Sequence, residues 1–246
     1  ACQSVPRSDV RITVDIDSGL PRKQITGYVT EQHRMTHDIT RLSVQLPEAL
    51  PYRAGQFAEI EIESLPGTRR NYSFANAMQA DGTVEFFVRK VPDGVFSSHL
   101  NERNVVGQML SIDGPSGHFW LRDDTAPLLL LAGGSGLAPI LAILQDALAK
   151  GVTRSVNLLF GARTEADLYA LEEIKAIASQ WQGDFRFIPI LSDCKNEDTW
   201  TGRRGLVIDL IPEIIVPGAH AYLCGPPAMI DAAVDILIQQ GIYSRH

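Results

Sequence analysis

Three cysteines, at positions 2, 194 and 224, are too few and too scattered to form a disulfide framework. No secretory leader is recognised at the start, and a reducing, cytoplasmic compartment is the expectation. A surplus of positive charge is missing as well. The chain sets 22 Lys and Arg against 29 Asp and Glu, a net charge of -7. That balance argues against a nucleic-acid partner, because neutralising phosphates takes an excess of basic side chains. An unbroken membrane span is also lacking. Ala126 to Leu144 carries no charge, but Pro127, Gly133, Gly134, Gly136 and Pro139 interrupt it. The stretch therefore reads as buried strand, glycine turn and helix, with no membrane association expected. Internal repeats and low-complexity tracts are absent. With 45% hydrophobic and 21% charged residues in 246, the chain can fill the core of one large domain or two ordinary ones.

The pattern changes near Asp123 and Asp124. Before that point lie short β segments at Gln24–Thr30, Thr40–Gln45, Gln56–Ile62, Tyr72–Ala75, Val84–Arg89 and Met109–Asp113. Turns such as Pro66-Gly67, Asp81-Gly82 and Pro92-Asp93-Gly94 separate them, which predicts an antiparallel barrel or sandwich. After it, strands at Leu128–Ala132, Val156–Phe160, Phe185–Leu191 and Ala221–Cys224 alternate with helical spacing, which predicts a parallel sheet. One helix is expected to present Leu137, Ile140, Leu141, Leu144 and Leu148 on a single face. Another runs through Leu171, Ile174 and Ala178, and the last presents Ile230, Ala233, Val234, Leu237 and Ile238.

Three constellations carry chemistry. The first, Gly133-Gly134-Ser135-Gly136-Leu137-Ala138-Pro139, sits between strand and helix, where backbone N–H groups and the helix dipole favour a pyrophosphate. It departs from G-x-G-x-x-G, since Pro139 replaces the third glycine. Phe160-Gly161-Ala162-Arg163 stands where an acidic residue would tip the second strand. Alone, the loop reads equally well as a tight strand–helix turn. The second, Cys224-Gly225-Pro226-Pro227-Ala228-Met229, is another strand end, and two such turns can define one ligand crevice. A buried structural cysteine is the alternative there. The third, Arg69-Arg70-Asn71-Tyr72-Ser73, offers a phosphate grip, a flat ring and a hydroxyl donor, or else a solvated arginine beside a packed tyrosine. Val88-Arg89-Lys90 follows it. Gly94-Val95-Phe96-Ser97 then starts a short helix able to take a second phosphate.

In this order and spacing, R-x-Y-S, G-G-x-G-x-A-P and C-G-P-P-x-M resemble the ferredoxin–NAD(P)+ reductase superfamily from about Lys23 onward. Arg70–Ala75, Asp93–Ser97 and Leu223–Ala233 are most similar to the reductase components of soluble methane monooxygenase and related multicomponent oxygenases. Benzoate-type dioxygenase reductases share the plan. The resemblance implies a six-stranded antiparallel FAD barrel over 21–122 and a parallel-sheet NAD domain over 123–246. Residues 1–20 would close an upstream ferredoxin domain, with Cys2 a [2Fe-2S] ligand only in a longer protein, because the companion cysteines are absent here. The family also continues beyond Gly241 through a final strand to a terminal aromatic region near the flavin, so both ends are expected to be boundaries within that longer protein.

The same resemblance implies the chemistry. NADH would reduce FAD, and electrons would pass singly through the iron–sulfur centre to an oxygenase hydroxylase, the chain itself being a monomer. Ser73 would lie near flavin N5 and Tyr72 against the ring. Arg70, Asn71, the 88–90 segment and Gly94–Ser97 would hold FAD. Gly133, Gly134, Ser135, Gly136, Arg163, Gly225 and Pro226 would hold the dinucleotide, with Cys224 beside the nicotinamide. Glu165 and Asp167 would repel a 2′-phosphate while Arg163 pulls the other way, and NADH is the expected donor. A free-standing flavin reductase, a flavohaemoglobin-type module and a non-catalytic flavin-binding subunit are the competing readings.

Overall fold

A computed structural model describes residues 20–193 and 199–242. Cys2, Cys194 and all but the last residue of the 1–20 segment lie outside them. Side-chain alternation builds the first sheet. In β3 (Phe57–Ile62), Ala58, Ile60 and Ile62 turn inward while Glu59 and Glu61 stay half-exposed. Its companions are β1 (Lys23–Arg34), β2 (Ile39–Gln45), β4 (Arg70–Ser73), β5 (Thr83–Arg89) and β6 (Met109–Ser116). They pair antiparallel in the order β4-β3-β6-β1-β2-β5, and a bridge from Phe74 to Phe86 nearly closes the barrel. Phe74, Phe86, Leu42, Ile60 and Ile112 fill it, each such side chain worth ~1.5–3 kcal/mol when fully buried. The short helix α1 (Val95–Glu102) inserts Phe96 and Leu100 into the same core.

β1 runs to Arg34, past the expected end at Thr30. A register shift between Val29 and Glu31 carries it on, and Glu31-Gln32-His33-Arg34 has no apolar alternation to announce a strand. The hairpin turn is tied by Thr36 Oγ1, which accepts from the backbone N–H of Asp38 at 3.3 Å and of Ile39 at 3.0 Å.

The second sheet is parallel, with order β10-β9-β8-β7-β11. It comprises β7 (Leu128–Gly133), β8 (Val156–Ala162), β9 (Phe185–Leu191), β10 (Arg203–Arg204) and β11 (His220–Cys224). The four leucines of β7 alternate between two cores. Leu128 and Leu130 pack under α2 (Leu137–Ala149) and α3 (Leu171–Gln180). Leu129 and Leu131 pack under α4 (Ile211–Ile214) and α5 (Pro227–Gln239). Burial on both faces is why the strand reads as one apolar run. β10 and α4 are too short to leave a periodic signal.

Two helix faces depart from expectation. α2 is buried on every side from Leu137 to Leu144, because it lies between its own sheet and the barrel residues Ile39, Ala54, Ala75 and Phe87. On α5 only Ala233 and Leu237 are buried, and Ile238 is 45% exposed.

The joint between the sheets is held by a buried arginine. Arg154 donates to the carbonyls of Ala126 and, at 3.1 Å, of Arg122. Its own carbonyl accepts from Trp181 Nε1 at 2.9 Å, and the Arg122 N–H donates to Tyr222 Oη at 2.9 Å.

Candidate functional site

At the carboxyl edge of the parallel sheet, β7 and β11 run side by side, with Ala132 opposite Cys224. Each ends in a glycine turn. Gly134 adopts φ 54°, a left-handed conformation that glycine reaches without a Cβ penalty. The turn Gly134–Gly136 then runs straight into α2. Gly136 serves a close approach between protein segments. A Cβ there would stand 2.1 Å from the Cys224 carbonyl oxygen and 2.8 Å from the Gly225 nitrogen. Pro139 falls in the first turn of α2, where backbone N–H groups have no intrahelical partner, so its missing N–H costs nothing.

The barrel supplies the facing wall. Arg70, Asn71, Tyr72 and Ser73 of β4 line a cavity of about 520 Å³ together with Arg89, Gly94, Phe96 and Ser97. The opposite side is Gly133, Ser135, Gly136, Cys224, Gly225 and Pro226. Tyr72 stacks on Phe96 at 5.9 Å, and burial lifts its hydroxyl to about 12, partly offset by Arg70. Burial alone pushes the Cys224 thiol up to about 11, so it is protonated at neutral pH. No hydrogen bond joins Tyr72 Oη or Ser73 Oγ to another described residue. An aromatic face, a guanidinium and free hydroxyls around a space of this size suit a flavin ring with its phosphates. Ser97 Oγ is already occupied, donating to the Gly94 carbonyl at 3.2 Å and accepting from the Val91 N–H at 3.2 Å. Val88 is fully buried in the barrel, Lys90 pairs with Glu102 at 2.6 Å, and Val95 is 61% exposed. None of these three lines the cavity.

A second cavity of about 380 Å³ shares Arg89, Gly133 and Pro226 with the first. It extends over the ends of β8 and β9 to Arg163, Asp167 and Ser192. An ion cluster crosses its mouth from barrel to sheet. Asp38 accepts from Arg89 Nε at 3.0 Å, and its Oδ2 lies 3.8 Å from Arg163 Nη2. Burial raises the Asp38 carboxyl, but hydrogen bonds from Arg89 and Thr36 outweigh it and hold the group below its ordinary range. Arg163 Nη2 is 3.2 Å from His37 Nε2, while His37 Nδ1 is 3.1 Å from Asp167. The Arg163 guanidinium can donate to Nε2, which leaves Nδ1 facing the Asp167 carboxylate. Asp167 Oδ2 also closes a capping box, accepting from the N–H and the hydroxyl of Thr164 at 3.0 Å each. Glu165 is exposed and does not line this cavity.

Asp38 and His37 escaped sequence reasoning because a hairpin turn in the barrel gives no sign of reaching the other sheet. The capping box at Thr164 and Asp167 was visible as T-x-x-D.

Two family models match the chain. An oxidoreductase FAD-binding domain covers residues 26–120 and an oxidoreductase NAD-binding domain covers 130–235. The xylene/toluene monooxygenase electron transfer component XylA of Pseudomonas putida is 37% identical, over 98% of this chain and 69% of its own length. The phenol 2-monooxygenase reductase component DmpP of Pseudomonas sp. (strain CF600) is 34% identical, over 100% and 71%. The solved ferredoxin reductase of carbazole 1,9a-dioxygenase superposes with a TM-score of 0.83 at 30% identity, over 91% of this chain and 68% of its own. With the nearly closed barrel, the parallel sheet and the crevice between them, these likenesses make the chain a member of the ferredoxin reductase superfamily, an oxidoreductase with FAD- and NAD-binding domains.

Proposed function

We propose that the chain accepts hydride from NADH onto FAD and passes electrons singly to a [2Fe-2S] centre and then to an oxygenase component. The acceptor would be a multicomponent oxygenase such as a methane monooxygenase hydroxylase, or one like the toluene and phenol monooxygenases in the relatives' names. One observation carries this reading: Tyr72 and Ser73 of the barrel and Cys224 of the parallel sheet border the same cavity. Bound FAD supplies the conversion of a two-electron donation into single-electron steps.

The chain's own residues bind and orient. Arg70 and Asn71, with the Gly94–Ser97 turn, are assigned to the flavin phosphates, Tyr72 to the ring face and Ser73 to a ring nitrogen. Gly133, Gly134, Ser135 and Gly136 take the donor's pyrophosphate, and Cys224, Gly225 and Pro226 its nicotinamide end. Arg70 is exposed and, among the described residues, its side chain donates a hydrogen bond only to the Arg69 carbonyl at 2.7 Å, so its remaining N–H groups can meet a phosphate. Charge-assisted hydrogen bonds contribute about 1.5–3 kcal/mol. Arg70→Ala should thus weaken FAD binding by about tenfold or more, measured by fluorescence titration of the apoprotein. Unchanged affinity removes Arg70 from the site.

The donor preference follows from the ion cluster. Arg163 already faces Asp38 and Asp167, so a 2′-phosphate arriving there meets a compensated cation and two carboxylates. Anaerobic mixing should bleach the yellow chromophore rapidly with NADH and slowly with NADPH. Equal rates overturn the donor assignment, and no bleaching by either overturns the enzymatic reading in favour of a flavin-binding regulatory subunit.

A further inference from the structure

Tyr169 lies outside the Arg69–Ser73, Gly133–Pro139 and Cys224–Met229 motifs. It follows the capped turn after β8 and is 4% exposed, with its ring edge-on to Phe160 of the sheet at 5.6 Å and to Phe87 of the barrel at 5.5 Å. The next residue, Ala170, holds φ 55°, a left-handed conformation that costs any residue with a Cβ. The chain tolerates that strain directly beside a fixed aromatic side chain. The tyrosine hydroxyl donates to the Gly134 carbonyl at 2.9 Å. Burial raises its pKa well above that of an ordinary tyrosine, so the proton stays on and the donor is permanent.

The consequence runs through one peptide plane. The Gly134 carbonyl and the Ser135 N–H belong to the same planar trans unit and point in opposite directions. Fixing the carbonyl toward Tyr169, away from solvent, fixes the Ser135 N–H the other way. Ser135 lines the cavity between barrel and sheet, at the start of the turn that becomes α2. The Leu137 N–H also donates to the Gly134 carbonyl, so the oxygen is gripped from the helix side and from the tyrosine side. Two donors on different sides of the oxygen restrain the tilt of the peptide plane more than the helix bond alone.

We infer that Tyr169 is a positioning residue for the electron donor, aiming the Ser135 N–H at the donor's pyrophosphate by holding the Gly134 carbonyl from behind. The inference rests on the dinucleotide assignment proposed above for the Gly133–Gly136 loop. It sets Tyr169 apart from a core aromatic, because its hydroxyl acts on ligand binding while its ring acts on packing.

Tyr169→Phe keeps the ring between Phe87 and Phe160 and removes only the hydroxyl. Saturation of stopped-flow flavin reduction should give an NADH dissociation constant raised about five- to tenfold. The limiting rate, flavin content and thermal midpoint should stay near those of the wild type. Calorimetric titration with ADP-ribose, which carries the pyrophosphate and no nicotinamide, should show the same loss. Unchanged binding of NADH and ADP-ribose would overturn the inference. So would a loss confined to the thermal midpoint, which marks a packing role alone. If ADP-ribose binding depends on the hydroxyl while NADH fails to reduce even the wild-type flavin, the positioning role stands and the proposed reductase function falls.

Discussion

Cys224→Ala is expected to slow flavin reduction by NADH about a hundredfold while leaving FAD bound, because a misplacement of about 1 Å at a reacting centre costs on that order. The thiol stands at the end of β11, half-buried, on the sheet side of the cavity that Tyr72 and Ser73 enter from the barrel. With a pKa of about 11 it is not an activated nucleophile, so its contribution is shape and contact at the proposed nicotinamide end. Two consequences separate this from covalent catalysis. The rate should not titrate through neutral and mildly alkaline pH, and Cys224→Ser, which keeps a small polar group in place, should retain much more activity than alanine. Stopped-flow reduction of the alanine variant at the wild-type rate would return Cys224 to the class of ordinary buried cysteines.

The second large effect comes from a single methyl group. In Gly136→Ala the new Cβ would fall 2.1 Å from the oxygen and 2.4 Å from the carbon of the Cys224 carbonyl. These are backbone atoms on a paired strand and cannot swing aside as a side chain would. Either the start of α2 lifts or the end of β11 bends, and both border the crevice. NADH-driven reduction should fall more than about a hundredfold, with a stability loss of about 1–3 kcal/mol from overpacking. FAD content should suffer less, because Arg70, Tyr72 and Ser73 belong to the barrel. The paired measurements are reduction rate and denaturant midpoint. Wild-type values for both would mean the two turns do not depend on that contact.

Local pattern carried most of the architecture. Phe185–Leu191 is a strand with those bounds, and the apolar stretch from Ala126 divides into β7, a glycine turn and α2 as its breakers predict. Among the described residues no helix is long and apolar enough to cross a membrane. Legibility failed where the determining contact is distant in sequence. The burial of α2 on all sides depends on the barrel, which no helical period can announce. Strand alternation also cuts through blocks that look like single motifs. Arg89 faces the cavities while its neighbour Val88 fills the barrel, and the helical period of α1 likewise buries Phe96 and Ser97 while leaving Val95 exposed. Tyr169 and Asp38 left no trace, since each acts across a gap that only the folded chain closes.

The joint held by Arg154 has a consequence for how such chains can be recombined. Arg154 grips the carbonyl oxygens of Arg122 and Ala126, and Tyr222 takes the Arg122 N–H, so the connection reads main-chain atoms that every residue type supplies. Two relatives could exchange halves across this stretch with little regard for the side chains at the crossover, provided the arginine and its Trp181 brace travel with the second half. The facing surfaces are less forgiving. Arg41 reaches Glu173, Gln145 accepts from the Ala77 N–H, and His37 meets Asp167, each a match between particular side chains or a side chain and one backbone group. Chimeras would therefore inherit a sound seam and succeed or fail on the fit of the crevice.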